Sequence, residues 1–187
     1  MTFAMGGMAF WMPRYVFKDR GWGTKADVNL IFGAIVVVAG LSATLLGGWV
    51  GDKLKPRFPG SYFIVSGAAM FLGFPMVLLV LWTPFPFAWV FVFLAVFCLT
   101  FNTGPTNTIL ANVTHPSVRA SAFAMNILII HLLGDAVSPS IIGLIIGYAN
   151  MTTGFLAVSF TVLIAGVLWW WGARYLERDT ARVTLGK

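Results

Sequence analysis

Charge is scarce in this chain. Of its 187 residues only 10% are Asp, Glu, Lys or Arg, against roughly 25% in an ordinary soluble domain, while 59% are hydrophobic and 16% aromatic. Too few polar side chains remain to cover a water-facing surface, which excludes a soluble fold and leaves the bilayer as solvent. Cysteine is scarcer still: the single Cys98 excludes a disulfide framework within the chain and a multi-cysteine metal site. There is no Ser or Cys in a nucleophile elbow, no glycine-rich phosphate loop after a strand and no cluster of metal ligands, so no enzyme activity, metal or cofactor is expected. The net charge of +6 would invite nucleic acid as a partner of a soluble protein. Here the basic residues sit in short segments between apolar runs, where they report membrane orientation, and no nucleic-acid partner is expected.

What the chain has in abundance is apolar length. A bilayer crossing takes about 20 apolar residues, and five segments meet that, at approximately 30–50, 62–82, 87–110, 120–148 and 152–175. A sixth stretch, at 1–17, is apolar only as far as Pro13 and Arg14 and reads as the back end of a helix that begins mid-span. The expected fold is therefore all-α, a polytopic membrane helix bundle forming a single membrane domain over 1–187, with a tail at 176–187. Lys53, Lys55, Arg57, Arg119, Arg174, Arg178, Arg182 and Lys187 all fall in the connectors at 51–61 and 111–119 and at the C-terminal end, which places those segments and the C-terminus in the cytoplasm by the excess of Lys and Arg on that side. Tryptophans gather near the expected helix ends, as rings at headgroup depth do.

In a bilayer the polar residues carry the information, because an ionised side chain at mid-helix costs about 2.5–3.5 kcal/mol even on insertion scales. One acid lies deep in a well-formed span: Asp135, with His131 four positions before it and Ser138 three after it. That spacing predicts one helical stripe, weakened by Gly134 and Pro139. Two readings of it stand side by side. Asp135 and His131 satisfy each other and brace a kinked helix, or they face a water-filled path in which Asp135 takes up and releases a proton while His131 tunes it. A second constellation runs from Thr100 to Asn112 and includes Asn102, Thr106 and Asn107 around a Gly104-Pro105 kink; it reads as a cavity wall, with Asn126 of the following span added to the substrate path. The glycines at 40, 47, 48 and 51, and at 143 and 147, suit close helix packing.

The segment Gly47-Gly48-Trp49-Val50-Gly51-Asp52-Lys53-Leu54-Lys55-Pro56-Arg57 resembles the signature loop of the major facilitator superfamily, matching it at Gly48, Asp52, Lys53 and Arg57. Lys55 and Pro56 depart from the pattern, as in the second copy of that loop. The stretch that opens with Arg119 and contains His131-Leu-Leu-Gly134-Asp135-Ala-Val-Ser138-Pro139 is similar to the eleventh helix of the Spinster-like branch. Asn102-Thr103-Gly104-Pro105 with Asn107 resembles the preceding helix of bacterial members.

This resemblance implies the second six-helix half of such a carrier, its first helix truncated. It implies alternating access by rocking of two bundles, proton coupling, and an amphiphilic or organic small-molecule substrate, lysolipids included, in a bacterial plasma membrane. Gly48, Asp52, Lys53, Arg57 and Arg119 would then form a gating loop region against the first half, and that half or a second copy of this chain, together with protons and membrane lipids, would be its partners. The competing expectation is a membrane scaffold or assembly subunit without transport.

Overall fold

The computed structural model describes residues 1–185, and among them regular structure is helical throughout. The elements are α1 (Thr2–Arg14), α2 (Lys25–Leu54), α3 (Ser61–Trp82), α4 (Ala88–Thr100), α5 (Thr103–Val113), α6 (Arg119–Ile130), α7 (Ser138–Tyr148), α8 (Met151–Gly172) and α9 (Leu176–Leu185). Two π-helical turns, Tyr15–Asp19 and His131–Asp135, follow α1 and α6. Counting α4 with α5 and α6 with α7, five helices are long and apolar enough to cross a membrane. Start signals are legible: Thr24 and Asp27 form a reciprocal capping box at α2, and the Asn150 side chain accepts the Thr153 N–H at α8, each satisfying backbone donors that a helix end leaves open.

The third expected span is not one helix. It breaks at Phe101–Asn102, one turn before Gly104-Pro105, because a proline has no N–H to give the carbonyl four residues earlier, and for Pro105 that carbonyl belongs to Phe101. The same rule places a freed carbonyl at Asp135, four before Pro139. In both places a glycine of a neighbouring helix rests on the loosened turn. A Cβ at Gly47 would collide with the Phe101 carbonyl, and one at Gly6 would come within 2.7 Å of the Asp135 Cα and 3.1 Å of its oxygen. At both proline breaks a neighbouring helix therefore approaches backbone to backbone.

The core runs along α1, α3, α4 and α8. Ala4, Met8 and Met12, spaced by four on α1, are fully buried, as are Met70 and Val77 of α3, Val92 and Val96 of α4 and Phe155, Val158 and Val162 of α8. The short α1 is thus an inner helix of the bundle. By contrast α2 and the α6–α7 pair show the least burial of the five spans. The basic connectors converge at one end, where Lys55, Pro59, Asn112 and Glu177 line one shared depression. At the other end Arg20 donates to the carbonyls of Leu81 and Thr83 at 2.7 and 2.6 Å. The expected tail at 176–187 is helical as α9, with Leu176 packed on Tyr62 and Ile109; Gly186 and Lys187 lie outside the described residues.

Candidate functional site

The polar run at 100–112 divides into groups with different tasks. Thr100, Thr106 and Thr108 turn their hydroxyls back to carbonyls in their own chain, those of Val96, Asn102 and Gly104, at 2.8, 2.7 and 3.3 Å. Asn112 belongs to the depression at the basic end. Asn102, Thr103 and Asn107, with Thr106 again, line a cavity of about 280 Å³ together with Asn126 of α6, Thr2 of α1 and Trp169 of α8. Three amides that the sequence places on two spans thus meet in one chamber. Asn102 is fully buried, yet neither its amide nitrogen nor its amide oxygen has a hydrogen-bond partner. An unpaired buried polar group costs about 1–3 kcal/mol, so Asn102 is a strained point beside the cavity.

His131 and Asp135 do meet. With the ring protonated at Nδ1, His131 donates to Asp135 Oδ2 at 2.6 Å, across one π-helical turn closed by the Ala136 N–H on the His131 carbonyl at 2.9 Å. A π turn widens the helix by one residue, a device concentrated at functional sites. Both side chains stay accessible, at 60% and 36%. The widened turn also corrects the stripe expected from sequence: Ser138 does not share their open face but is fully buried against Gly6, donating to the Asp135 carbonyl at 3.4 Å. Asp135 opens on its own groove of about 500 Å³ with Met5, Gly6, Ala9, Phe10 and Pro139. The acid and the amides therefore lie in two separate chambers. Thr2 is the link between them, since it lines the amide chamber and also rests on Gly134 of the π turn.

The expected gating loop is mostly helix. Gly48, Asp52 and Lys53 belong to α2, which continues to Leu54, and the turn begins only at Lys55. Gly48 serves packing, 3.9 Å from the Gly104 Cα when a Cβ is added. Asp52 accepts the Tyr62 hydroxyl at 2.7 Å, and beside it Ser61 donates to the Gly51 carbonyl at 2.9 Å. Lys53 stacks over Trp49, 4.7 Å from the ring centroid, while Arg57 in the turn and Arg119 at the first position of α6 are exposed. Removing the bridge by Tyr62→Phe should lower stability by about 0.6 kcal/mol, the average for a hydrogen bond between membrane helices. Thermal unfolding of the purified protein checks this, and a loss above about 2 kcal/mol would assign Tyr62 a larger role than this single bond.

His115, in the turn before α6, accepts the Ser117 N–H at 3.3 Å through Nδ1. Three site residues escaped the sequence reading. Thr2 is a polar residue in an otherwise apolar opening segment, a signal that was available; Trp169 was hidden in a tryptophan run that reads as interface anchoring; and Tyr62 looks like any aromatic at a span boundary.

A family model described as Major Facilitator Superfamily matches residues 1–134. Human protein spinster homolog 3 is 27% identical over 208 residues, covering 97% of this chain and 41% of its own length. Protein spinster homolog 3 of Danio rerio is 32% identical over 158 residues, with coverages of 78% and 32%. Probable sphingolipid transporter spinster homolog 2 of Arabidopsis thaliana is 28% identical over 174 residues, with coverages of 90% and 34%. The chain thus spans at most about two fifths of the length of these curated relatives.

Proposed function

Because the chain belongs to the major facilitator superfamily, in its Spinster-like branch, we propose that it forms the second six-helix half of a secondary active transporter, proton-coupled and working by alternating access. The observation that carries this reading is the His131–Asp135 pair, bonded at 2.6 Å inside the Pro116–Tyr148 span, with Asp135 facing a groove. Ionisable groups held at that depth are costly, and such residues mark ion and proton pathways by default. The most exposed spans, α2 and α6–α7, are the faces on which the first half, or a second copy, would rock. Gly48, Asp52, Lys53, Arg57 and Arg119 stand at the basic end of those same spans and would form the gate there. That end is assigned to the cytoplasm, C-terminus included, by its basic connectors. The likeness of Asn102 to Asn107 to bacterial members supports a bacterial plasma membrane.

The substrate is an amphiphile, a lysolipid being the leading candidate. The amide chamber supplies hydrogen bonds without a fixed side-chain charge, and one relative's name carries the words sphingolipid transporter. Purified full-length protein in liposomes, given a pH gradient and a labelled lysolipid, should accumulate it and lose it when a protonophore is added. Failure to move any amphiphile in either direction would favour the scaffold reading.

Replacing Asn102 and Asn107 with Leu should weaken substrate binding about tenfold to a hundredfold, as the loss of two hydrogen bonds of about 1 kcal/mol each implies. The fold should persist, because Leu removes the unpaired Asn102 amide as well. Equilibrium binding and thermal unfolding measured on the same sample decide it. Unfolding without a separable binding defect would return both residues to packing.

A further inference from the structure

We propose that a groove between α2, α3 and α4, separate from the amide chamber and from the Asp135 groove, binds one acyl chain of an anionic membrane phospholipid. The groove holds about 330 Å³, and every residue that lines it is apolar, among them Leu54, Ile64, Ala68, Leu72, Phe97 and Cys98. All three helices lie within membrane-length spans, so the medium at the mouth is hydrocarbon. Ile64 and Leu72, at that mouth, are 38% and 61% exposed. Its wholly apolar lining offers no hydrogen-bond partner to a polar occupant, so a single hydrocarbon chain is the occupant that fits.

Its length and position select the leaflet. Eight residue steps from Ile64 to Leu72 run about 12 Å along α3, within one leaflet of a hydrocarbon core about 30 Å thick. The end of the groove at Leu54 and Ile64 adjoins the basic turn. Arg57 continues the face of Val50 and Leu54 at helical spacing, its N–H on the Leu54 carbonyl at 3.0 Å. Lys53 and Lys55 flank it, the first over Trp49 and the second over Tyr62. Asp52 keeps its negative charge while it accepts the Tyr62 hydroxyl, and against that one acid Lys53, Lys55 and Arg57 leave the turn at this rim with a surplus of positive charge. A phosphate headgroup bearing net negative charge is complementary to that rim, whereas a neutral headgroup gains nothing from it.

Cys98 on the groove wall is the probe. The full-length protein is placed in nanodiscs of phosphatidylcholine with or without phosphatidylglycerol, and alkylation of Cys98 by a membrane-permeant maleimide is followed by mass spectrometry of its peptide. Phosphatidylglycerol should slow alkylation about fivefold for each basic residue that engages it. Arg57→Gln should remove about that factor, and native mass spectra should lose the retained lipid in parallel. Ala68→Trp, which fills the groove, should protect Cys98 in either lipid and abolish lipid retention. Equal rates in the two lipids would overturn the anionic headgroup. Protection that persists in detergent would overturn the acyl chain in favour of a protein segment, and protection by inorganic phosphate alone would overturn the lipid as its source.

Discussion

Asp135→Asn is expected to abolish proton-driven accumulation while leaving substrate exchange running. The argument is stoichiometric. One proton per substrate across a gradient of one pH unit is worth about 1.4 kcal/mol, which sustains a roughly tenfold substrate ratio; without a titrating carboxylate the ratio falls to about one. Asn keeps the shape of the side chain and an oxygen for His131 Nδ1, now 2.6 Å from Asp135, so the π turn has reason to persist. Asp135→Glu should restore a measurable gradient, and His131→Gln should move the pH profile of uptake rather than erase it. If accumulation in Asp135→Asn equals that of the natural protein, the coupling group lies elsewhere and this pair braces the helix. If exchange also disappears with the fold intact, Asp135 binds substrate and is not specific to the proton.

The chambers behind this prediction were half legible beforehand. Helix count, approximate spans and the clustering of basic connectors follow from apolar length and charge alone, because the bilayer forces backbone groups to pair within a segment. The amides at 102, 107 and 126 could be nominated together from their polarity, and the structure brings them to one cavity. The register past His131 could not be read. An ideal helix carries Ser138 onto the stripe of Asp135, but the proline at 139 opens the turn and a π bond inserts a residue, which rotates Ser138 into the core. Likewise Asp52 and Lys53 read as the start of a connector because charge usually marks one, whereas α2 extends to Leu54 and ends only where Pro56 enforces a turn. Tertiary contacts decide such positions, and they are not periodic in sequence.

Glycine shows the same limit most sharply and gives the second large effect. Gly40, Gly47, Gly48 and Gly51 look alike in the sequence of α2, but a Cβ at Gly40 meets nothing within 4 Å, while Gly47 lies on the Phe101 carbonyl and Gly48 faces Gly104. From the opposite side, a Cβ at Gly104 would lie 2.5 Å from the Thr44 carbonyl oxygen and 2.9 Å from the Gly48 nitrogen. Both obstacles are backbone, so no rotamer change relieves them, and α2 and α5 must separate along the crossing that shapes the amide chamber. Gly104→Val is therefore expected to cost at least the upper end of the usual overpacking range, about 3 kcal/mol, which lowers the folded-to-unfolded ratio by roughly a hundredfold. Against a total stability of about 5–15 kcal/mol, that should appear as a strong loss of monodisperse protein after extraction and a lower unfolding temperature. Gly40→Ala is the control and should leave both unchanged or improve them slightly, since Ala is favoured over Gly inside a helix by about 1 kcal/mol. Equal behaviour of the two variants would mean that α2 and α5 do not cross at Gly48 and Gly104, and the placement of Asn102, two residues from that crossing, would fall with it.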